Sequence, residues 1–272
     1  MDAGRVPAQD VRVILPPVSS WWLGWFTWYA RRYLRRHFHS LRVSRECHPS
    51  GLDGRPIVLF MNHASWWDPL VGLVLKPELF PSRTLYAPMD AVALERYGIF
   101  RRLGFFGVEQ HSRRGAGQFL RMSEALLGRD DSLLAITPQS RFADVRERPL
   151  EFRPGLGALA CRAPRALFLP LAVEYVFWEE RLPEILLRFG QPIEVPVRLG
   201  ADASAEAWTA HFEGSLAAVQ DALARQARQR DPDTFVNLLR GGAGQGGLYD
   251  LWQAALARLR GRAFTREHGR KG

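Results

Sequence analysis

Lysine is nearly absent from this 272-residue chain: Lys76 and Lys271 are the only two among 37 basic residues, and the rest are arginine. Cysteine is equally scarce. Cys47 and Cys161 make neither a disulfide framework nor a thiolate metal site, and nothing argues for an oxidising compartment. Cys161 follows Leu159 and Ala160 and reads as a small buried hydrophobe. The apolar stretch from Val18 to Ala30 has 13 residues, where a bilayer-spanning helix needs about 20. It also lacks the basic leader and small-residue cleavage site of a secretory signal. There is no G-x-S-x-G elbow, so a serine hydrolase is disfavoured and only water in place of an acceptor would give hydrolysis. The glycine-rich run Gly241–Gly247 follows no strand and leads to no G-K-[ST], so it is not a phosphate loop. His37 and His39 sit among arginines, and His48, His111, His211 and His268 lack partners at ligand spacing, so no metal site is expected. No internal repeat is visible.

What is present is basic and aromatic. The formal charge is +9, which points to an anionic partner: nucleic acid, anionic lipid or a phosphorylated substrate. Arginine suits bidentate phosphate contact. An apolar fraction of 47% with 24% charge is that of an ordinary globular chain, and the length suits one good-sized α/β domain. Four of nine tryptophans fall in Trp21, Trp22, Trp25 and Trp28, followed at once by Arg31, Arg32, Arg35 and Arg36. Rings at headgroup depth beside guanidiniums on lipid phosphates describe an interfacial helix. At helical spacing Trp22, Trp25, Tyr29 and Tyr33 share one face; the competing reading packs that face on the protein's own domain. No recognised nucleic-acid module accompanies the arginines, so no nucleic acid is expected.

Three segments follow: a leader and membrane-interface helix over 1–45, a central domain over 46–232, and a Gly-rich linker with a basic C-terminal helix over 233–272. In the centre, Ile57–Met61 is a continuous apolar run, the pattern of a buried strand. Pro69–Leu75 reads as a helix, Thr84–Ala87 as a strand, Ala91–Arg102 as a helix and Phe105–Val108 as a strand. Ala116–Leu127 is a helix, Ser132–Thr137 a strand and Gly155–Arg162 a helix. Leu167–Tyr175 and Ile185–Phe189 complete the sheet, with Leu41–Val43 a further short strand. Trp208, Phe212, Leu216, Val219 and Leu223 mark a long covering helix. This alternation predicts an α/β fold with a mixed, largely parallel sheet flanked by helices, its ligands at the carboxyl ends of the strands.

The first strand–helix junction reads Asn62-His63-Ala64-Ser65-Trp66-Trp67-Asp68-Pro69. Asp68 stands where a helix cap belongs, with Pro69 at the first helical position. A tight loop of this length can return the carboxylate to the imidazole, fix its tautomer and leave the other nitrogen free to take a proton. That is the base-and-orienter half of a triad without a protein nucleophile. Asp68 as a plain cap and His63 as a satisfied core histidine are the bland alternatives.

On these residues the sequence resembles the membrane-associated glycerolipid acyltransferases, the family of 1-acylglycerol-3-phosphate acyltransferase, whose first block is N-H-x4-D. The resemblance covers about residues 55–195 and keeps the family's order. The second block has a loose counterpart in Gly104–Glu109 with Arg113 and Arg114. The third, usually P-E-G-T-R, is met by Pro138-Gln139-Ser140-Arg141, with Phe152-Arg153-Pro154-Gly155 downstream. The fourth is Leu169-Pro170-Leu171. Gln139 stands where the family has Glu, the third block is one residue short, and the second-block arginine is displaced.

The resemblance implies a transferase with His63 as general base, Asp68 behind it, and a lipid hydroxyl attacking an acyl thioester directly. It implies substrate-binding roles for Asn62, Ser65, Arg113, Arg114, Gln139, Ser140 and Arg141, the arginines holding an anionic group. No cofactor is implied beyond acyl-CoA or an acyl carrier protein thioester as co-substrate. The partners implied are that donor, a membrane lipid acceptor and an anionic membrane surface, with the protein peripheral at the cytoplasmic face. The drifted second and third blocks leave open a non-phosphorylated acceptor, such as a glycolipid or terpenoid, and a catalytically decayed relative.

Overall fold

The structure is a computed structural model that describes residues 13–49, 52, 54–196 and 204–243. Its centre is strand β2 (Ile57–Met61), all five residues of which are buried. Parallel strands flank it on both sides, β5 (Ser132–Ile136) and β6 (Leu167–Val176). Side chains alternate across a strand, so Ile57, Leu59 and Met61 enter one core layer while Val58 and Phe60 enter the other. A strand covered on both faces has to be apolar throughout, which is the run read from the sequence.

Beyond β5 lie β3 (Thr84–Asp90) and β4 (Phe105–Val108), both parallel to their neighbours. On the other side β7 (Glu184–Phe189) runs antiparallel to β6, β1 (Ser40–Ser44) parallel to β7, and β9 (Phe235–Arg240) antiparallel to β1. The order is β4-β3-β5-β2-β6-β7-β1-β9, with the two-residue β8 (Ile193–Glu194) paired to β6. This is the expected mixed, largely parallel sheet. Helices α1 (Ser20–His37) and α2 (Asp68–Leu79) cover the Ile57/Leu59 face. Helices α4 (Arg113–Leu127), α5 (Gly155–Arg162) and α6 (Ala205–Gln229) cover the Val58/Phe60 face. Phe212, Leu216, Val219 and Leu223 of α6 are buried, as their spacing predicts.

Local chemistry adjusts several boundaries. The stretch expected as one helix over Ala91–Arg102 divides at Tyr97 into α3 (Ala91–Arg96) and a 3-10 turn (Gly98–Arg102). Helix α4 starts three residues earlier than expected because the Ser112 hydroxyl caps it, accepting from the Gly115 N–H at 2.9 Å. Residues 233–240, read with the linker, belong to a 3-10 turn (Pro232–Thr234) and β9, and β1 falls in the segment read as leader. The sheet therefore draws on residues on both sides of 46–232. Cys161 is exposed, not buried: Leu156, Leu159 and Ala160 take the inward positions of α5 and leave Cys161 on its outer side. Residues 1–12, the run from 244 and the basic segment with Trp252, Leu256 and Leu259 lie outside the described residues.

Helix α1 packs along the Ile57/Leu59 face and meets the loop after β2 where Tyr33 lies 5.4 Å from Trp67. Leu23 and Phe26 pack inward, Ala30 and Leu34 are fully buried, and Trp22 joins Leu94, Leu103 and Phe105. Trp22, Trp25, Tyr29 and Tyr33 do form one ring-to-ring series, with centroids 6.2, 5.9 and 5.5 Å apart. The protein divides that series: Trp22 and Tyr33 pack on the domain, while Trp25 and Tyr29 stay exposed together with Trp21 and Trp28. No helix among the described residues is long and apolar enough to cross a membrane.

Candidate functional site

The loop between β2 and α2 folds back on itself. The Asp68 N–H donates to the Ser65 carbonyl at 3.1 Å, and the Ser65 N–H donates to Asp68 Oδ2 at 3.1 Å. The return brings Asp68 Oδ2 within 2.7 Å of His63 Nδ1. A carboxylate can only accept, so Nδ1 carries the proton and Nε2 is the basic nitrogen. The Asp68 side chain is 3% exposed and that of His63 22%, so the orienting group is sealed while the imidazole reaches solvent. Asp68 is not the cap expected from the sequence but the first residue of α2, with Trp67 at the cap position and Pro69 second in the helix; there the helix dipole favours negative charge. The Asp68 Oδ1 oxygen accepts from the Tyr175 hydroxyl of β6 at 2.6 Å.

Neighbouring strands hold the His63 backbone. Asn62 is buried, and its amide exchanges two 2.9 Å hydrogen bonds with the backbone of Val173 on β6. Buried Gln139, at the carboxyl end of β5, accepts from the His63 N–H at 3.2 Å. The His63 carbonyl in turn accepts from the Ala143 N–H at 3.0 Å. Asn62, Ser65 and Gln139 thus lie at the site, with these groups engaged in shaping it. Gln139 Oε1 takes a backbone N–H that a glutamate oxygen could equally accept, so the tie does not depend on a charge at this position.

Ser140 is exposed and in the left-handed region, φ 54°, at a turn closed by its N–H to the Thr137 carbonyl at 3.0 Å. Arg141 next to it is already paired, with its side chain 40% exposed. Its guanidinium is closed by Glu147 through two nitrogens and by Glu151 at 3.0 Å. Those hydrogen bonds, Glu147 first, push the Arg141 pKa further up and pull that of Glu147 down. Phe142, 58% exposed, places its ring 4.3 Å from the His63 ring.

Arg113 and Arg114 open α4 and are exposed, without a carboxylate partner among the described residues. They follow β4, which is three strand positions from β2, a lateral separation of about 14 Å. The fold therefore brings His63, Asp68, Asn62, Ser65, Gln139, Ser140 and Arg141 together and sets Arg113 and Arg114 along the same edge of the sheet. No cluster of three or more metal-ligating side chains occurs among the described residues.

Aromatic side chains surround this edge. Trp66 stacks on Trp67 at 4.9 Å, and Trp67 meets Tyr33 of α1 at 5.4 Å. Trp66 and Phe177 are exposed. The outer face of α1 forms a shallow hollow lined by Ser20, Trp21, Gly24, Trp25 and Trp28. The residues that sequence did not single out are Tyr175, Phe142, Glu147 and Glu151. Of these only Tyr175 had a positional signal, at the carboxyl end of a strand where a site was expected.

No family model matches the chain, and no curated protein matches it. Among solved structures, the crystal structure of the 1-acyl-sn-glycerophosphate (LPA) acyltransferase, PlsC, from Thermotoga maritima is similar, with a TM-score of 0.51 at 14% identity. The alignment covers 75% of this chain and 79% of that one. At that identity the likeness speaks for a common fold, in which a mixed sheet carries its loops at one edge between two helical layers.

Proposed function

We propose that this chain is an O-acyltransferase that moves a fatty acyl group from acyl-CoA or an acyl carrier protein thioester to a hydroxyl of a lysophospholipid or related lipid. The observation that carries this reading is the 2.7 Å contact between Asp68 Oδ2 and His63 Nδ1 at the carboxyl end of β2. In the proposed reaction Nε2 takes the proton of the acceptor hydroxyl as its oxygen attacks the thioester carbonyl carbon. The tetrahedral adduct collapses, the C–S bond breaks, and the imidazolium returns the proton to the leaving thiolate. Asp68 stays ionised and stabilises the transient imidazolium. No protein nucleophile, metal or further cofactor enters this scheme.

The exposed Trp21, Trp25, Trp28 and Tyr29 of α1, with Trp66 and Phe142 at the site rim, support contact with a lipid surface. The neighbouring Arg32, Arg35 and Arg36 are exposed and suit anionic headgroups. We place the protein as peripheral, at the cytoplasmic face where both thioester donors are made.

One observation favours a second reading of the acceptor. The Arg141 guanidinium is already engaged by Glu147 and Glu151, which suits an acceptor without a phosphate monoester. A glycolipid or terpenoid alcohol fits that description. Free thiol released from acyl-CoA by the purified protein tests the reaction class. Release that requires an added lipid acceptor supports transfer; equal release without any acceptor contradicts it and points to hydrolysis.

A further inference from the structure

The proposed reaction leaves unused one group bonded to Asp68, the hydroxyl of Tyr175. The Asp68 carboxylate receives three donors. His63 Nδ1–H and the Ser65 N–H reach Oδ2 at 2.7 and 3.1 Å, and the Tyr175 hydroxyl reaches Oδ1 at 2.6 Å. The first two belong to the same short loop as the carboxylate. Only Tyr175 belongs to a different element, 107 residues away on β6. The terminal torsion of an aspartate is broad, so an anchor outside the loop fixes the plane of the carboxylate facing the imidazole.

Strand β6 supplies such anchorage twice. Val173 fixes the residue before His63 through the Asn62 amide, and Tyr175, two positions on and on the same face, fixes the residue behind it. The Tyr175 ring lies 5.7 Å from Phe38, which itself meets Trp67 edge-on at 4.9 Å. Burial, with the Asp68 charge next, pushes the phenol pKa well up, so the hydroxyl remains a donor at any working pH.

We infer that Tyr175 is a positioning residue of the site, a third member behind His63 and Asp68. Its hydroxyl fixes the plane of the carboxylate, and through it the direction of the imidazole. The competing interpretation is a phenol that merely satisfies its own hydroxyl in a packed corner. The kinetic part of the inference rests on the acyltransferase reading; the geometric part does not.

Tyr175→Phe separates the two, because it keeps the ring against Phe38 and removes only the donor. Two readouts are taken on the full-length protein. Acyl transfer kinetics in Tyr175→Phe are expected to show kcat about tenfold lower at unchanged KM, a fraction of the roughly 10²–10⁴ that a positioned general base contributes. In an Asp68→Asn background the same change has less than about a twofold effect, since the two residues act as one unit. Independently of any substrate, the Nδ1–H proton resonance of His63 in histidine-¹⁵N-labelled protein shifts, or is lost to exchange, in Tyr175→Phe. An unmoved resonance with unchanged kcat overturns the inference, as does a rise in KM alone. A resonance that moves in a protein inactive towards every acceptor leaves the positioning role standing and removes the transferase reading instead.

Discussion

Asp68 does two jobs in one short loop: it begins a helix and it turns an imidazole. The carboxylate does only the second, since α2 has no side-chain cap and Oδ2 instead ties the Ser65 N–H of the loop while accepting from His63. The pairing was legible because the partners are five residues apart and the strand and helix around them were readable. The residues that modify the pair were not. Tyr175 reaches Asp68 from 107 residues away, a distance no local pattern encodes. Glu147 and Glu151 are close in sequence to Arg141, but their approach depends on a loop conformation that includes Glu151 at φ 57°. Arg141 reads as a free phosphate ligand from its block and is found already paired. Glu147→Gln with Glu151→Gln releases it. We expect the double variant to gain about tenfold in kcat/KM for a phosphorylated lyso-lipid relative to a neutral one, the scale of one charge-assisted contact. Paired acceptor assays check this, and an unchanged ratio removes the specificity role.

At the scale of elements, the strands buried on both faces announce themselves and the edge does not. β2 reads as a strand because every residue must be apolar, whereas β9 contains Asn237 and ends in Arg240, and only one neighbour covers it. Its partner β1 lies 191 to 200 residues away, as Ser44 pairs Phe235 and Ser40 pairs Arg240, with a register shift between Leu41 and Arg42. Nothing local specifies that pairing. Close packing of helices is also set by a single residue that sequence leaves unremarked. A Cβ at Gly157 would collide with the Ala205 carbonyl and the Thr209 side chain where α5 meets α6. The collision is with backbone, so the helices must separate. Gly157→Ala should lower stability by about 1–3 kcal/mol, read as a lower urea midpoint at unchanged slope. A midpoint equal to wild type would mean that α5 and α6 have room that the backbone positions deny.

The whole molecule presents one edge to its surroundings. The carboxyl ends of β2, β5 and β6 carry His63, Gln139 and Tyr175, and α1 meets the loop after β2 through Tyr33 while its tryptophans Trp21, Trp25 and Trp28 stay exposed. In sequence the aromatic–arginine segment admitted two readings, an interfacial helix or a helix packed on its own domain. The structure divides the segment: Leu23, Phe26, Ala30 and Leu34 pack inward, and Trp21, Trp25 and Trp28 face outward. Trp21→Ala, Trp25→Ala and Trp28→Ala combined should therefore cost little folding stability. Partition onto anionic vesicles should fall at least about tenfold, given roughly 1.5–3 kcal/mol for each large side chain fully removed from water. Co-sedimentation at fixed lipid measures it; undiminished pelleting would put the lipid contact elsewhere on the surface.

We propose that His63, held by Asp68, catalyses acyl transfer. Purified wild type and His63→Ala, each incubated with labelled acyl-CoA or labelled acyl carrier protein and a total lipid extract, test it by separation of the labelled lipids. The account predicts a labelled lipid from the wild type and a yield lower by about 10²–10⁴ from His63→Ala. Equal yields from the two proteins, or no labelled lipid from the wild type with either donor, would contradict it.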